Sequence, residues 1–410
     1  MSVTAAAGFR AAGVVAGLKP SGKSDVALVV NEGPQHSAAA VFTSNRCKAN
    51  PVLWSERTIV DGTLTAVVLN SGGANCYNGP EGFQTTHASA ELVAELTGGQ
   101  AFDVAVCSTG LIGQPLDRPI LEAGIRAAHA QLSPDGGPAA AEAIMTTDTV
   151  AKQAVVQGGA GSRGPAGEAE ERSGAPGVAG EPGKNWVVGG MAKGAGMLAP
   201  ALATMLVVIT TDAAADAATL DAALRAATKT TFDRLDTDGC MSTNDTVVLM
   251  ASGASGITPA QDELTAAVTT VCADLAEQLW HDAEGAHHDI AIEITGAASE
   301  DDAVEVARAV ARSNLFKAAV FGNDPNWGRV LAAVGTTQAA FEPEKIDISM
   351  NGVKVCRAGG TRFGEPSTSV DLTGRDVHVL VELNAGSSAA TILTSDLTHD
   401  YVHENSAYST

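Results

Sequence analysis

The residues from Gly189 to Asp212 read Gly-Gly-Met-Ala-Lys-Gly-Ala-Gly-Met-Leu-Ala-Pro-Ala-Leu-Ala-Thr-Met-Leu-Val-Val-Ile-Thr-Thr-Asp, and no single regular element can run through them. Gly194 and Gly196 free the backbone for a sharp turn or a close approach to a ligand. Pro200 blocks a regular helix. Met205 to Ile209 is then an apolar run of strand length, which predicts a buried strand. One hydroxyl, Thr204, stands where the irregular approach meets that strand, so a rigid element anchors it. Taken alone, a Thr there is a β-branched residue opening a strand.

A chain of 410 residues exceeds what one hydrophobic core usually serves, so two or more domains or subdomains are expected. Forty-seven acidic against 25 basic side chains give a net charge of −22, which disfavours nucleic acid and anionic membrane surfaces as partners. The acids are spread along the chain, and serve solubility. Cys47, Cys76, Cys107, Cys240, Cys272 and Cys356 lie far apart with no Cys-x-x-Cys, so neither a disulfide framework nor a zinc knuckle is expected. The N-terminal residues lack the basic start and apolar core of a signal peptide, and no apolar run approaches membrane-spanning length. A reducing, cytoplasmic location is the expectation.

From Gly8 to Thr65, short apolar runs alternate with turn residues, as in strands and hairpins. Ala66 to Asn70 is a further strand, running into Ser71-Gly72-Gly73-Ala74-Asn75. Thr85 to Leu96 has helical spacing, and Phe102 to Val106 reads as a strand leading to Cys107-Ser108-Thr109-Gly110. A strand tip of this kind exposes backbone N–H groups, as an oxyanion hole requires. Helices are expected over Ile120 to Leu132 and Ala139 to Ile144, followed by Met145-Thr146-Thr147-Asp148-Thr149, a set that suits a helix cap or Asx turn. Gly158 to Lys184 holds nine glycines and three prolines in 27 residues, a composition that predicts a disordered loop at the tip of a hairpin. Ala214 to Leu235, Pro259 to His281 and Ala303 to Leu315 have helical spacing, and alternating runs near Lys345 to Val355 and Val377 to Leu383 suggest a small C-terminal α+β module.

The run Lys-Gly-Ala-Gly-Met-x-x-Pro-x-x-Ala-Thr-Met-Leu from Lys193 to Leu206 resembles the signature of the ornithine acetyltransferase family, the bifunctional glutamate N-acetyltransferases of the cyclic arginine pathway. Further blocks of the same family are similar: the Asn70 to Asn75 turn, with Gly73 in place of an Asn; Ser108-Thr109-Gly110; Met145 to Thr149; Thr237 to Thr246; Glu284-Gly285-Ala286, followed by His287 and His288 in place of Thr-Lys; and Phe321 to Arg329. The resemblance runs from Gly8 to the C-terminus apart from residues 158–184. It implies a layered α/β (α+β) fold of the self-cleaving Thr-nucleophile acyltransferase type, with a smaller C-terminal α+β domain beginning near residues 286–300. It also implies cleavage between Ala203 and Thr204, giving an α chain of residues 1–203 and a β chain of residues 204–410.

Cleavage would solve a chemical problem. Inside the chain Thr204 has an amide beside its hydroxyl; once freed it carries an α-amine of unperturbed pKa about 7.7 to 8.0, suited to take the hydroxyl's proton near neutral pH. The resemblance makes Thr204 the nucleophile, Thr109 and Gly110 the oxyanion hole, and Thr146 or Thr147, Lys193, Thr204, Glu284, Asn405 and Thr410 the substrate-binding residues. It implies N-acetyl-L-ornithine as donor, L-glutamate as acceptor, acetyl-CoA as a further candidate donor, no cofactor, and an assembly of two α and two β chains. The rival readings are a self-cleaving aminopeptidase or amidase with water as acceptor, a non-enzymatic binding protein, and a hydrolase with zinc at His287 and His288. The last is disfavoured, because adjacent residues on an extended segment point to opposite faces.

Overall fold

The computed structural model describes residues 2–159, 185–197, 205–358, 360 and 369–407. Ala203, Thr204 and Thr410 lie outside the described residues, as does the Gly158 to Lys184 loop beyond Gly159 and before Asn185.

Among the described residues, nine strands build two stacked sheets. β1 (Phe9–Val14), β2 (Val26–Asn31), β4 (Ala66–Asn70) and β5 (Val104–Ser108) form the first in that order, and β3 (Ser37–Phe42), β9 (Thr246–Ala251), β8 (Leu206–Thr211), β7 (Trp186–Lys193) and β6 (Lys152–Gly158) form the second. β4 and β5 are parallel, as are β8 and β9; the other pairs are antiparallel. Alternation along each strand separates two faces. Ala27, Val29, Val67 and Leu69 of the first sheet meet Leu206, Val208, Val248 and Met250 of the second in one core. Val26, Leu28, Val68 and Val106 face the opposite way, under α2 (Gly79–Thr97) and α3 (Arg118–Ala130). Val207, Ile209, Val247 and Leu249 lie under α5 (Ala217–Thr230) and α6 (Gln261–His281). The result is a helix, sheet, sheet, helix sandwich, and it explains why the strands read as continuous apolar runs: both faces are buried.

The third sheet, β12 (Val353–Cys356), β11 (Asp347–Met350), β13 (Asp376–Glu382), β10 (Asp289–Ala297) and β14 (Ser388–Ser395) in that order, has its own core with α7 (Glu300–Ala311), α8 (Asn314–Phe321) and α9 (Trp327–Val334). The last helix, α10 (His399–Ala407), leads back from this unit.

Two expectations change in detail. The strand read from Phe102 begins at Val104, after a 3₁₀ turn at Ala101–Asp103 whose Phe102 ring lies against Trp54 with centroids 5.4 Å apart. The single helix read over Ala303 to Leu315 is two, since the Ser313 side chain accepts from the Phe316 N–H and caps a new start. α1 (Asn50–Thr58), with Pro51 in its first turn, was not visible as a periodic run.

Candidate active site

The carboxyl ends of β5 and β7 and the amino ends of β8 and β9 come together at one end of the sandwich. Lys193, the last residue of β7, pairs with Leu206, and Leu206 pairs with Thr246. β8 therefore begins at this edge, with Met205 the first described residue after Thr204. A cleft of about 150 Å³ opens there, lined by Thr109, Gly110, Thr146, Thr147, Lys193, Glu284 and Asn405, together with Asp238, Cys240, Asn244 and Tyr401. This volume suits a ligand of amino-acid size.

Each wall is held by specific bonds. The Asn244 Nδ2 donates to the carbonyls of Ala74 (2.6 Å) and Ser108 (2.8 Å), tying the loop before β9 to the ends of β4 and β5. Asp245 accepts the Met205 N–H at 3.0 Å and so grips the first residue after Thr204. Burial pushes the Asp245 carboxyl well above the usual carboxylate range. Asp238 accepts the Met197 N–H at 2.6 Å, and burial raises its pKa too.

The strand tip at Thr109 differs from expectation. Its backbone N–H is spent on the Asn70 carbonyl at 2.9 Å, so it offers no free amide. What Thr109 presents is its hydroxyl, which accepts from the Lys193 Nζ at 3.4 Å. Gly110, at φ +127°, packs so close to Gly73 that a Cβ would stand 2.8 Å from the Gly73 nitrogen, and its own N–H donates to no other described residue. The available donor pair is thus one hydroxyl and one amide.

On the opposite wall, Thr147 Oγ1 donates to Glu284 Oε1 at 2.7 Å, and Asn405 Nδ2 of α10 donates to Oε2 at 3.0 Å. Gly196 faces the same carboxylate, leaving no room for a side chain while Glu284 keeps this position. Thr146 contributes its backbone N–H to Asp148 at 2.9 Å. Of the two threonines left open by the sequence, Thr147 is the one whose hydroxyl engages Glu284.

A charged layer missed by sequence reasoning lies behind this wall. The Asp148 carboxylate, fully buried, accepts from the Gly194 N–H (2.7 Å) and Lys152 Nζ (2.6 Å). Burial acts to raise its pKa, but the charges of Lys193 and Lys152 win and hold it at about 2. Lys193, equally buried, is pushed down by that burial against the pull of Asp148 and Glu284. Lys19, with its Nζ on the Ser24 and Met145 carbonyls, is lowered by burial to about 8. The four-residue spacing from Asp148 to Lys152 was the signal available, though the two lie on a turn and a strand rather than a helix.

His287 and His288 are not cleft residues. His288 is buried, its Nδ1 2.7 Å from Asp396 Oδ2 and its Nε2 2.9 Å from the Leu372 carbonyl, while His287 Nε2 lies 2.7 Å from Asp400. Where the family has Thr-Lys, this geometry holds His288 inside the third-sheet unit, away from the cleft lining. Among the described residues no group of three or more His, Cys, Asp or Glu side chains could hold a metal ion.

A model of the ArgJ family matches residues 10–166 and 172–410. The arginine biosynthesis bifunctional protein ArgJ of Streptomyces coelicolor is 59% identical over 409 residues, covering 100% of both chains. Its counterpart from Thermobifida fusca is 57% identical over 410 residues, again with 100% coverage of both. Among solved structures, the ornithine acetyltransferase of Mycobacterium tuberculosis complexed with ornithine is 45% identical, with 48% of this chain and 94% of that one covered and a TM-score of 0.39. With nearly its whole length matched by the family model and by relatives of this identity, the chain belongs to the ArgJ family.

Proposed function

We propose that this enzyme, an acyltransferase of arginine biosynthesis, moves an acetyl group from N-acetyl-L-ornithine to L-glutamate by way of Thr204. The observation that carries the reading is one cleft that gathers Thr109, Gly110, Thr147, Lys193, Glu284 and Asn405 from separate segments at the edge where β8 begins, two residues after Thr204 in sequence. Thr204 Oγ first attacks the Ala203 carbonyl; the acyl group shifts from nitrogen to oxygen, and hydrolysis of that ester leaves chains 1–203 and 204–410. The freed α-amine then takes the Oγ proton as the oxygen attacks the donor's acetyl carbonyl. The Thr109 hydroxyl and Gly110 N–H face the tetrahedral oxyanion, and losing one such donor typically costs about 10² to 10³ in rate. Collapse breaks the C–N bond, and the Thr204 ammonium returns its proton to the departing ornithine amine. The neutral amine of glutamate reverses these steps on acetyl-Thr204.

In this reading Lys193 binds the α-carboxylate common to both amino acids, Glu284 takes the ornithine side-chain ammonium, and Thr410 joins Asn405 at the substrate. Thr146 supports the turn that presents Thr147. Acetyl-CoA is a second donor to the same hydroxyl. The assembly is two α and two β chains in the cytoplasm; the acidic composition and unpaired cysteine spacing support that location, and no helix among the described residues is long and apolar enough to cross a membrane.

Intact mass of the denatured protein, before and after N-acetyl-L-ornithine labelled in its acetyl group, tests the scheme. The expected result is two fragments, 1–203 and 204–410, with the label on the second and its release by glutamate in ping-pong kinetics. Thr204→Ala should remain one chain. An uncut wild type with full activity would overturn the mechanism, and release of acetate with no transfer to glutamate would favour the amidase reading. Thiol release from acetyl-CoA reads the second donor.

A further inference from the structure

We infer that Asp148 is a positioning residue of the acyl-transfer site: it keeps Lys193 cationic inside a dry wall and so sets the affinity for the α-carboxylate that donor and acceptor share. The inference rests on Lys193 binding that carboxylate, as proposed above. A fully buried ammonium is driven toward its neutral form unless a negative charge is fixed beside it. Asp148 is fixed by geometry: it accepts from the Gly194 N–H (2.7 Å), next to Lys193 in sequence, from the Thr146 N–H (2.9 Å) and from Lys152 Nζ (2.6 Å).

Further charges acting on Lys193 among the described residues include the carboxylates of Glu284 and Asp245 and the ammoniums of Lys152 and Lys19. The ammoniums oppose a third cation. Asp245 is pushed toward its neutral form by burial, and Glu284 has its two oxygens on Thr147 and Asn405. Asp148 is held ionised by the charges of Lys193 and Lys152 beside it. Lys152 also reaches Asp282 Oδ2 at 2.5 Å, and Asp282 accepts the Thr149 N–H at 3.0 Å. The buried Asp148 and Lys152 and the half-buried Asp282 therefore join the Thr146–Thr149 turn to the Asp282–Glu284 turn, and the same two turns meet again at Thr147 and Glu284.

The inhibition constant of N-acetyl-L-glutamate, measured on the cleaved enzyme over about pH 6 to 9.5, is the readout, because an acylated amine does not titrate there. Burial lowers the Lys193 pKa; if Asp148 offsets that burial and keeps the ammonium protonated, the wild-type constant should vary by less than about threefold. Asp148→Asn keeps an oxygen for the Gly194 N–H but removes the charge, so Lys193 gives up its proton at lower pH. The constant should then climb about tenfold or more as pH rises. Adding Lys193→Arg, whose cation does not titrate, should flatten the climb. A folded Asp148→Asn enzyme with the wild-type profile overturns the inference, as does a climb that survives Lys193→Arg. So does a wild-type constant that itself rises about tenfold, a result that needs no variant to fold. Failure of the wild type to transfer acetyl to glutamate is a separate result, which overturns the underlying reading instead.

Discussion

The Thr147 hydroxyl donates to Glu284 Oε1 at 2.7 Å across 137 positions of sequence, and Asn405 donates to the other oxygen at 3.0 Å. Neither donor is charged. The carboxylate is therefore oriented at the cleft wall without having its charge neutralised by its own ligands, and a substrate ammonium is the complement it lacks. Glu284→Gln should lower affinity for N-acetyl-L-ornithine by ~1.5 to 3 kcal/mol, the usual range for hydrogen bonds to charged groups, while cleavage at Thr204 proceeds. Steady-state kinetics with each substrate varied should place the defect in the donor half-reaction; unchanged donor KM and kcat would remove Glu284 from this role.

Gly196 offers an independent test of the same carboxylate. A Cβ at Gly196 would stand 2.3 to 2.6 Å from the Glu284 carboxyl atoms. These are the far end of a flexible side chain, so Gly196→Ala should fold, with Glu284 swung away from Thr147 and Asn405. We expect a thermal midpoint close to wild type and a donor KM raised as in Glu284→Gln. A normal KM would mean that the contact is not needed for binding.

How much of this was legible in the sequence depends on the range of the interaction. The buried strands of the sandwich follow from runs such as Val26 to Val30 and Met205 to Ile209, because a strand covered on both faces is apolar at successive positions. Helix α6 was legible to within two residues, since its face repeats over five turns. The site residues Thr109, Lys193 and Glu284 were recognisable only through family blocks; no local period marks them, and their meeting depends on contacts such as Asn244 to Ala74 that span 170 positions. The same limit hid Asp148 and Lys152, whose charges make sense only once Asp282 and Lys193 are seen beside them. The Thr109 amide was misjudged because a strand tip in isolation has free N–H groups, whereas here Asn70 of the neighbouring strand supplies an acceptor.

The Gly158 to Lys184 loop yields a prediction from its anchors. β6 and β7 are antiparallel with Gly158 opposite Trp186, so the two ends already sit side by side. Replacing residues 160–184 by a short turn should leave cleavage and acetyl transfer near wild type. Gly158 itself must stay, because a Cβ there would fall 2.2 Å from the Trp186 ring. A large loss of activity with the fold intact would assign the loop a functional part.

Asp245 gives the last prediction. Its carboxyl is fully buried and accepts the Met205 N–H at 3.0 Å, and burial lifts its pKa well above that of an unfolded Asp. Between the two values the native protein binds more protons than the unfolded chain, so this group's contribution to stability is present below the unfolded pKa of about 3.9 and is lost as pH rises toward the folded one. Asn in its place keeps an oxygen for Met205 and does not titrate. In a Thr204→Ala background, which keeps the chain in one piece, Asp245→Asn should therefore match its parent near pH 4 and gain on it as pH climbs. Asp245→Ala should lie about 1 to 3 kcal/mol below Asp245→Asn throughout, because the buried Met205 N–H has no partner left. Thermal midpoints across about pH 4 to 8 decide the point: if Asp245→Asn falls increasingly below its parent as pH rises, Asp245 is ionised in the native state and its charge is stabilising.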